Sequence, residues 1–164
     1  MSVRIRDFQA SDFDRLWQID QECFPPGISY SRPELKAYMR RRGSFTLVAE
    51  SEAGPSKATF AHDEVSAAIK GFIVAYGGVT GHIITVDVIA AARRSRLGSQ
   101  LLAAAEDRLR SMGSRAVSLE TAVDNQAAIA FYKRHGYSVV GTWPRYYSNG
   151  VDALVMRKRL SEAR

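Results

Sequence analysis

Apolar positions along this chain recur with two periods, and each change of period marks an element boundary. Val3 and Ile5 alternate with Arg4 and Arg6, so residues 3–8 read as a half-buried strand. From Phe13 the spacing is helical, through Leu16, Trp17 and Asp20, with Ser11 placed as the cap and Phe24-Pro25-Pro26-Gly27 as the stop. Ser31-Arg32-Pro33-Glu34 combines capping-box spacing with an early proline. It predicts a second helix through Leu35, Tyr38 and Met39, closed by Gly43. Phe45 to Glu50 reads as a strand. Residues 51–67 are polar and broken by glycine and proline, which predicts a long surface excursion. Ile69 to Tyr76 resumes β character, Gly77-Gly78 turns, and His82 to Val88 pairs back.

The second half is organised by one change of period. The β-branched run Ile83, Ile84, Val86, Val88 and Ile89 breaks into Arg93-Arg94-Ser95-Arg96-Leu97-Gly98-Ser99. A helical pattern starts at once, carrying Leu97, Leu101, Leu102, Ala105, Leu109 and Met112 on one broad face as far as Gly113. Ala116 to Glu120 is a short strand. Asp124 or Asn125 caps a helix through Ile129, Phe131 and Tyr132 that ends at Gly136. Tyr137 to Trp143 and Val151 to Met156 read as two strands, with Asn149-Gly150 between them as a hairpin marker. The order β-α-α-β-β-β-α-β-α-β-β predicts a single domain over residues 1–164 of mixed α/β class, a mixed sheet with helices on both faces. Residues 160–164 read as a solvated tail.

Composition narrows the setting. The 164 residues are 46% hydrophobic and 24% charged, ordinary values for a folded domain. No window approaches a membrane span, and residues 1–8 lack the apolar core of a secretion signal, so no membrane role is expected. One cysteine, Cys23, allows neither an internal disulfide nor a cysteine metal cluster, and no His/Cys/Asp/Glu group has ligand spacing, so no metal is expected. A reducing cytoplasm is the simplest compartment. The net charge of +6 suits nucleic acid, an anionic cofactor or an acidic partner alike. The arginines concentrate at 40–42, 93–96 and 157–164, and only the middle group sits where the backbone also favours an anion. A strand feeding a basic turn and then a helix offers the free N–H groups of the first helical turn and the positive end of its dipole. A pyrophosphate is the expected occupant.

These residues resemble the GCN5-related N-acetyltransferase (GNAT) family. The family's acyl-CoA signature, Gln/Arg-x-x-Gly-x-Gly/Ala, fits Arg93 to Gly98 at its first and last positions. It departs at the first glycine, which is Arg96, where a Cβ narrows the approach of backbone to phosphate. Leu119-Glu120, followed by Asn125 to Tyr137, resembles the family's Asn-x-x-Ala-x-x-x-Tyr-x-x-x-Gly-Phe/Tyr block. With Glu22-Cys23-Phe24-Pro25 and Tyr146-Tyr147, the likeness is greatest to the branch that acetylates protein N-termini, including bacterial ribosomal-protein alanine acetyltransferases. The resemblance implies a mostly antiparallel sheet splayed between its fourth and fifth strands, and acetyl-CoA as cofactor. It implies a protein or peptide N-terminus as acceptor, a ribosomal protein among the candidates, with no nucleic acid required.

Direct attack of an amine on a thioester within a ternary complex needs a neutral amine, a polarised carbonyl and a protonated leaving thiolate. A free α-amine, with a pKa of about 7.7–8, needs only a modest base. Glu120 shares a strand face with Ser118, opposite Val117 and Leu119. It therefore points away from the packed side at the carboxyl end of its strand, where open α/β sheets bind ligands. The resemblance makes it the general base. Tyr132 lies two helical turns after Asn125, on one stripe with Ala128, and the resemblance makes it the general acid. Asn125 can donate to a pantetheine amide, and Ala128 leaves room for the arm. Backbone amides of Val86, Asp87 and Val88 would pair with pantetheine, that of Val88 polarising the thioester oxygen. Arg93, Arg94, Ser95, Arg96, Leu97, Gly98 and Ser99 would hold the pyrophosphate. Phe24, Pro25 and Tyr30 would face Tyr146 and Tyr147 across the acceptor. His82 and His135 receive no role, and Cys23 reads as a buried small residue. Two other readings stay open: a small-molecule amine or lysine side chain as acceptor on the same scaffold, and a basic module that binds RNA or ribosomes. Against the last stands the separation of the aromatics from the arginine turn in sequence.

Overall fold

The computed structural model describes residues 2–52 and 68–161, so residues 53–67 of the expected excursion lie outside the described residues. The chain runs β1 (Val3–Asp7), α1 (Phe13–Cys23), α2 (Arg32–Arg40), β2 (Ser44–Ser51), β3 (Ile69–Tyr76), β4 (Thr80–Val88), α3 (Leu97–Ser111), β5 (Ala116–Ala122), α4 (Gln126–Arg134), β6 (Ser138–Trp143) and β7 (Ala153–Arg159). The strands form one seven-stranded sheet in the order β1-β2-β3-β4-β5-β7-β6, parallel only between β4 and β5. This is the mixed sheet that the pattern predicts.

Each sheet face carries its own core. Phe13, Leu16 and Ile19 of α1 and Leu35 of α2 pack with Val48, Phe72 and Val74 on one face. Leu97, Leu101, Leu102, Ala105 and Leu109 of α3 and Tyr132 of α4 pack with Ile73, Val117 and Leu119 on the other. Covered on both faces, β3 has no solvent side, which is why it reads as an apolar run rather than an alternation. Among the described residues no helix is long and apolar enough to cross a membrane.

Local chemistry explains most boundaries. Ser31 Oγ accepts the Glu34 N–H at 3.3 Å and Glu34 Oε2 accepts the Ser31 N–H at 3.2 Å, the expected capping box of α2. Ser11 does not cap α1. A 3-10 turn, Ala10–Asp12, precedes that helix, and Asp12 accepts the Gln9 N–H at 2.8 Å and two Arg6 N–H bonds at 2.8 and 2.9 Å. A charged pair anchored in β1 thus outcompetes a serine hydroxyl. Residue 160 does not belong to the expected solvated tail, of which residues 162–164 lie outside the described residues. Leu160 is buried, and its N–H bonds the Arg115 carbonyl, so apolar burial and one backbone bond hold it down. Asn149-Gly150 does turn the chain, but inside a longer loop between Trp143 and Ala153 rather than as a two-residue hairpin.

One irregularity shapes the site. β4 and β5 pair only from Thr80 to Ile83 against Ala116 to Leu119. Beyond this, β4 runs on to Val88 beside β3 alone, and β5 to Ala122 beside β7 alone. The β3–β4 register shifts between Val74, opposite Thr85, and Ala75, opposite Ile83, leaving Ile84 as the extra residue of a bulge. A bulge bends its strand, and the fork opens there. The implied splay is therefore present.

Candidate active site

The fork widens into a groove of about 1120 Å³, just above the usual range of roughly 300–1,000 Å³ for a small-molecule site. Val86 and Val88 line it from β4, and Arg93, Arg94, Arg96, Leu97, Gly98 and Ser99 from the turn into α3. Glu120 comes from β5, and Asn125, Ala128 and Tyr132 from the next segment and α4. Phe24, Pro25 and Tyr30 face the groove with Tyr146 and Tyr147. Of the residues singled out by sequence, Asp87 and Ser95 alone do not line the groove. Asp87 is buried, takes the Thr85 hydroxyl bond, and lies beside Asp20 of α1, while its backbone pairs with Phe72 of β3, so it is closed to a ligand. The Ser95 hydroxyl turns back onto the Ala92 carbonyl and fastens the turn itself.

The turn into α3 is built from left-handed residues. Arg94 and Arg96 have φ of 67° and 65°, the conformation glycine adopts freely, so Arg96 reproduces the glycine geometry at a cost of about 1 kcal/mol. Arg93 bends back instead, its Nε donating to the Val88 carbonyl at 3.1 Å, which ties the turn to the end of β4. Arg94 and Arg96 enter no ion pair among the described residues and line the groove. Ser99 Oγ lies 2.9 Å from His135 Nε2, and the His135 ring packs on Phe131 at 4.8 Å. His135 thus orients a hydroxyl in the first turn of α3. This was invisible in sequence because 36 residues separate the two.

Glu120 does face away from Leu119, but it is not solvated. Its side chain is 8% exposed, and Oε2 lies 2.6 Å from His82 Nε2. His82 was given no role by sequence, and only the parallel register of β4 on β5 brings it here. Tyr132 is held edge-on by Phe131 and Tyr137 at 5.2 and 5.7 Å, and burial pushes its phenol well above the ordinary tyrosine range. Asn125, not Asp124, caps α4: its Oδ1 accepts the Ala128 N–H at 3.1 Å, which leaves the amide NH2 free to donate. The Cys23 thiol, half-buried against the Val88 carbonyl, is pushed up to about 11 by burial, so it stays a thiol at neutral pH. Among the described residues no group of three or more His, Cys, Asp or Glu could hold a metal ion.

The two aromatic walls are fixed and joined. The Tyr30 N–H donates to Asp20 Oδ2 at 2.7 Å, and its carbonyl accepts from Gln21 at 2.7 Å and Trp17 at 3.1 Å. Tyr146 and Tyr147 meet edge to face at 5.0 Å. The Ser148 N–H and hydroxyl both donate to the Gly27 carbonyl, at 3.2 and 3.0 Å. Gly27 has φ of +90°, and a Cβ there would lie 2.7 Å from Asn149 Cβ, so only glycine permits this junction.

Comparison with known proteins agrees with this geometry. N-alpha-acetyltransferase 30 of Schizosaccharomyces pombe is 36% identical over 74 residues, covering 45% of this chain and 49% of that protein, so the chain spans about half of that relative's length. The N-alpha-acetyltransferase of Sulfurisphaera tokodaii is 26% identical over 169 residues, covering 93% of this chain and 90% of that protein. Among solved structures, Ard1 from Thermoplasma volcanium superposes with a TM-score of 0.82 at 25% identity, covering 99% of this chain and 100% of that one. Residues 13–137 match the model of the acetyltransferase (GNAT) family. A groove opened between two parting strands, a basic turn at a helix start and this match over most of the chain place the protein in the acetyltransferase (GNAT) family.

Proposed function

We propose that the chain works as a single N-acetyltransferase domain that moves an acetyl group from acetyl-CoA to the N-terminal α-amine of a protein or peptide, by direct attack in a ternary complex. The observation that carries this reading is the His82–Glu120 pair, 2.6 Å apart at the fork, with Glu120 in the same groove as Tyr132. The residues present fit acetyl-CoA: two left-handed arginines and a helix start for its phosphates, and an unpaired stretch of β4 backbone for its amides. When bound, acetyl-CoA supplies the thioester that the amine attacks.

Glu120 takes the proton of the incoming amine, and the imidazole of His82 holds its carboxylate in place. The Val88 amide donates to the carbonyl oxygen as negative charge develops there. Tyr132 keeps its proton because burial disfavours the phenolate, and that proton is available to the departing sulfur. Arg94, Arg96, Ser99 and the first turn of α3 hold the pyrophosphate, while Asn125 and Ala128 flank the pantetheine arm. Phe24, Pro25 and Tyr30 on one side and Tyr146 and Tyr147 on the other enclose the acceptor, and the Gly27–Ser148 junction bridges them. Such a bridged site favours a chain end over a side chain presented from a folded surface. The names of the yeast and archaeal relatives support the same acceptor. Cys23, a free thiol, suits the reducing cytoplasm proposed as the setting.

The test is a panel of short peptides differing in their first two residues, incubated with acetyl-CoA and followed by thiol release. Turnover of free N-termini, abolished when the same N-terminus is already acetylated, is expected. Turnover confined to a lysine side chain or a small amine overturns the acceptor assignment.

A further inference from the structure

The His82–Glu120 pair is the inner end of a longer column. Tyr76, the last residue of β3, stands directly opposite His82 in the β3–β4 register. The two rings stack with centroids 5.2 Å apart and planes 14° apart. The Arg41 guanidinium, just after α2, covers the Tyr76 ring at 4.0 Å. Four segments thus hand one contact to the next: α2 end, β3, β4, β5.

A single hydrogen bond does not fix an imidazole. Its ring torsion is broad and two-fold, so a ring held at one nitrogen can still tilt. His82 is 21% exposed, and solvent alone would not hold its plane. The flat contact with Tyr76 does, and Arg41 holds Tyr76 in turn. We infer that Tyr76 and Arg41 are positioning residues for acetyl transfer: as a stack they set the plane of the His82 ring from which Nε2 meets Glu120. This rests on the reading of Glu120 as the base. The charged and titratable groups around His82 are Glu120 from β5 and Tyr76 from β3 with Arg41 behind it, and, in the row beyond Ser118, Arg157 from β7, which reaches Thr80 two residues before His82.

The experiment measures kcat and KM from pH 6 to 9 for Tyr76→Leu, Tyr76→Phe, Arg41→Ala and Glu120→Gln, with melting temperature and acetyl-CoA binding as controls. Tyr76→Leu is expected to lower kcat about tenfold, the scale of a slightly misplaced catalytic group. Its KM for acetyl-CoA stays unchanged, and its rise of rate with pH flattens as in Glu120→Gln. Tyr76→Phe, which keeps the ring, restores the wild-type profile, and Arg41→Ala shows a smaller loss in the same direction. A Tyr76→Leu enzyme with the wild-type pH profile, whatever its kcat, overturns the inference. Should that variant fail to fold, the surface substitution Arg41→Ala decides alone, and an unchanged kcat and profile there overturns it. A wild-type profile in Glu120→Gln defeats the base assignment itself, a distinct outcome.

Discussion

Asp87→Asn tests whether the strand lining the groove is held to α1 by a captured proton. Asp20 and Asp87 are 0% and 1% exposed. Asp20 Oδ2 accepts the Tyr30 N–H at 2.7 Å and Gln21 Nε2 at 3.3 Å, and Asp87 Oδ1 accepts the Thr85 hydroxyl. Asp20 Oδ1 and Asp87 Oδ2 are left with no other partner. One proton between them satisfies both; without it, two like charges are buried side by side. Burial raises the pKa of both carboxyls, and for Asp87 the charge of Asp20 adds to it. In the unfolded chain a carboxyl releases its proton near pH 3.9, whereas the folded pair keeps one to higher pH. In that interval folding takes up a proton, so stability falls by about 1.4 kcal/mol per pH unit as pH rises. Asparagine removes the requirement, since its NH2 can donate to Asp20 Oδ1 and its oxygen can accept from Thr85. Subtracting wild type from variant cancels other titrations, including that of His135, whose burial lowers its pKa and gives the opposite slope. Urea unfolding followed by the fluorescence of Trp17 and Trp143 supplies the numbers. The variant should gain on wild type by about 1.4 kcal/mol per pH unit above pH 4, then level off where the folded wild type loses its proton. A difference independent of pH, or a wild type more stable throughout, refutes the shared proton.

Three further outcomes follow from the site. Gly27→Ala introduces left-handed strain of about 1 kcal/mol plus a contact with Asn149, so the KM of an acceptor peptide should rise about fivefold or more with that of acetyl-CoA unchanged; equal peptide KM values would detach the junction from acceptor binding. Tyr132→Phe should lower kcat by about a hundredfold while acetyl-CoA titrated in a calorimeter binds as before; unchanged turnover removes the phenol from proton transfer. Arg96→Gly relieves about 1 kcal/mol of strain but adds about as much unfolded-chain freedom, so its melting temperature should barely move. Its affinity for acetyl-CoA should fall at low salt and converge with wild type at high salt, as one lost charge requires. Equal affinity at low salt places the Arg96 charge outside the phosphate site.

What could be read from the sequence, and what could not, divides along the range of the interaction. The capping box of α2, the apolar stripe of α3 and the Asn125 cap are decided within four residues, and each is where the pattern puts it, except that Met112, expected on the stripe, lies just past the helix end and is exposed. Ser11 failed as a cap because Asp12, held by Arg6 on a strand and by the Gln9 N–H, closes a 3-10 turn that takes Ser11 into its middle. His82 carried no mark, since its partner lies 38 residues on and the pairing follows from a parallel register that the helix between β4 and β5 sets. The length of the β6–β7 loop was hidden for the same reason: Asn149-Gly150 specifies a turn, but Ser148 specifies a partner 121 residues away. Asp87 looked like one residue of a ligand-binding strand, and its second identity as half of an acid pair required α1 to be docked.

The bulge at Ile84 links these long-range features to one cause. Before it, β4 is bonded on both edges, to β3 and to β5; after it, β3 alone is the neighbour. The Val88 and Ile84 carbonyls on the freed edge are taken by Arg93 and Tyr30, but the N–H groups of Val86 and Val88 face outward and demand partners, and a β-branched strand with an open edge otherwise recruits another strand. Here the turn at 93–99 and the walls of Tyr30 and Tyr147 limit access to something narrow. A slender chain with amides of its own satisfies that edge, and a bulky or purely apolar one does not. The same divergence frees Glu120, one residue past the last β4–β5 pair, from packing against β4 except through His82. One extra residue in one strand therefore accounts for both the open edge of β4 and the release of Glu120 from β4, the two features on which the proposed reaction relies.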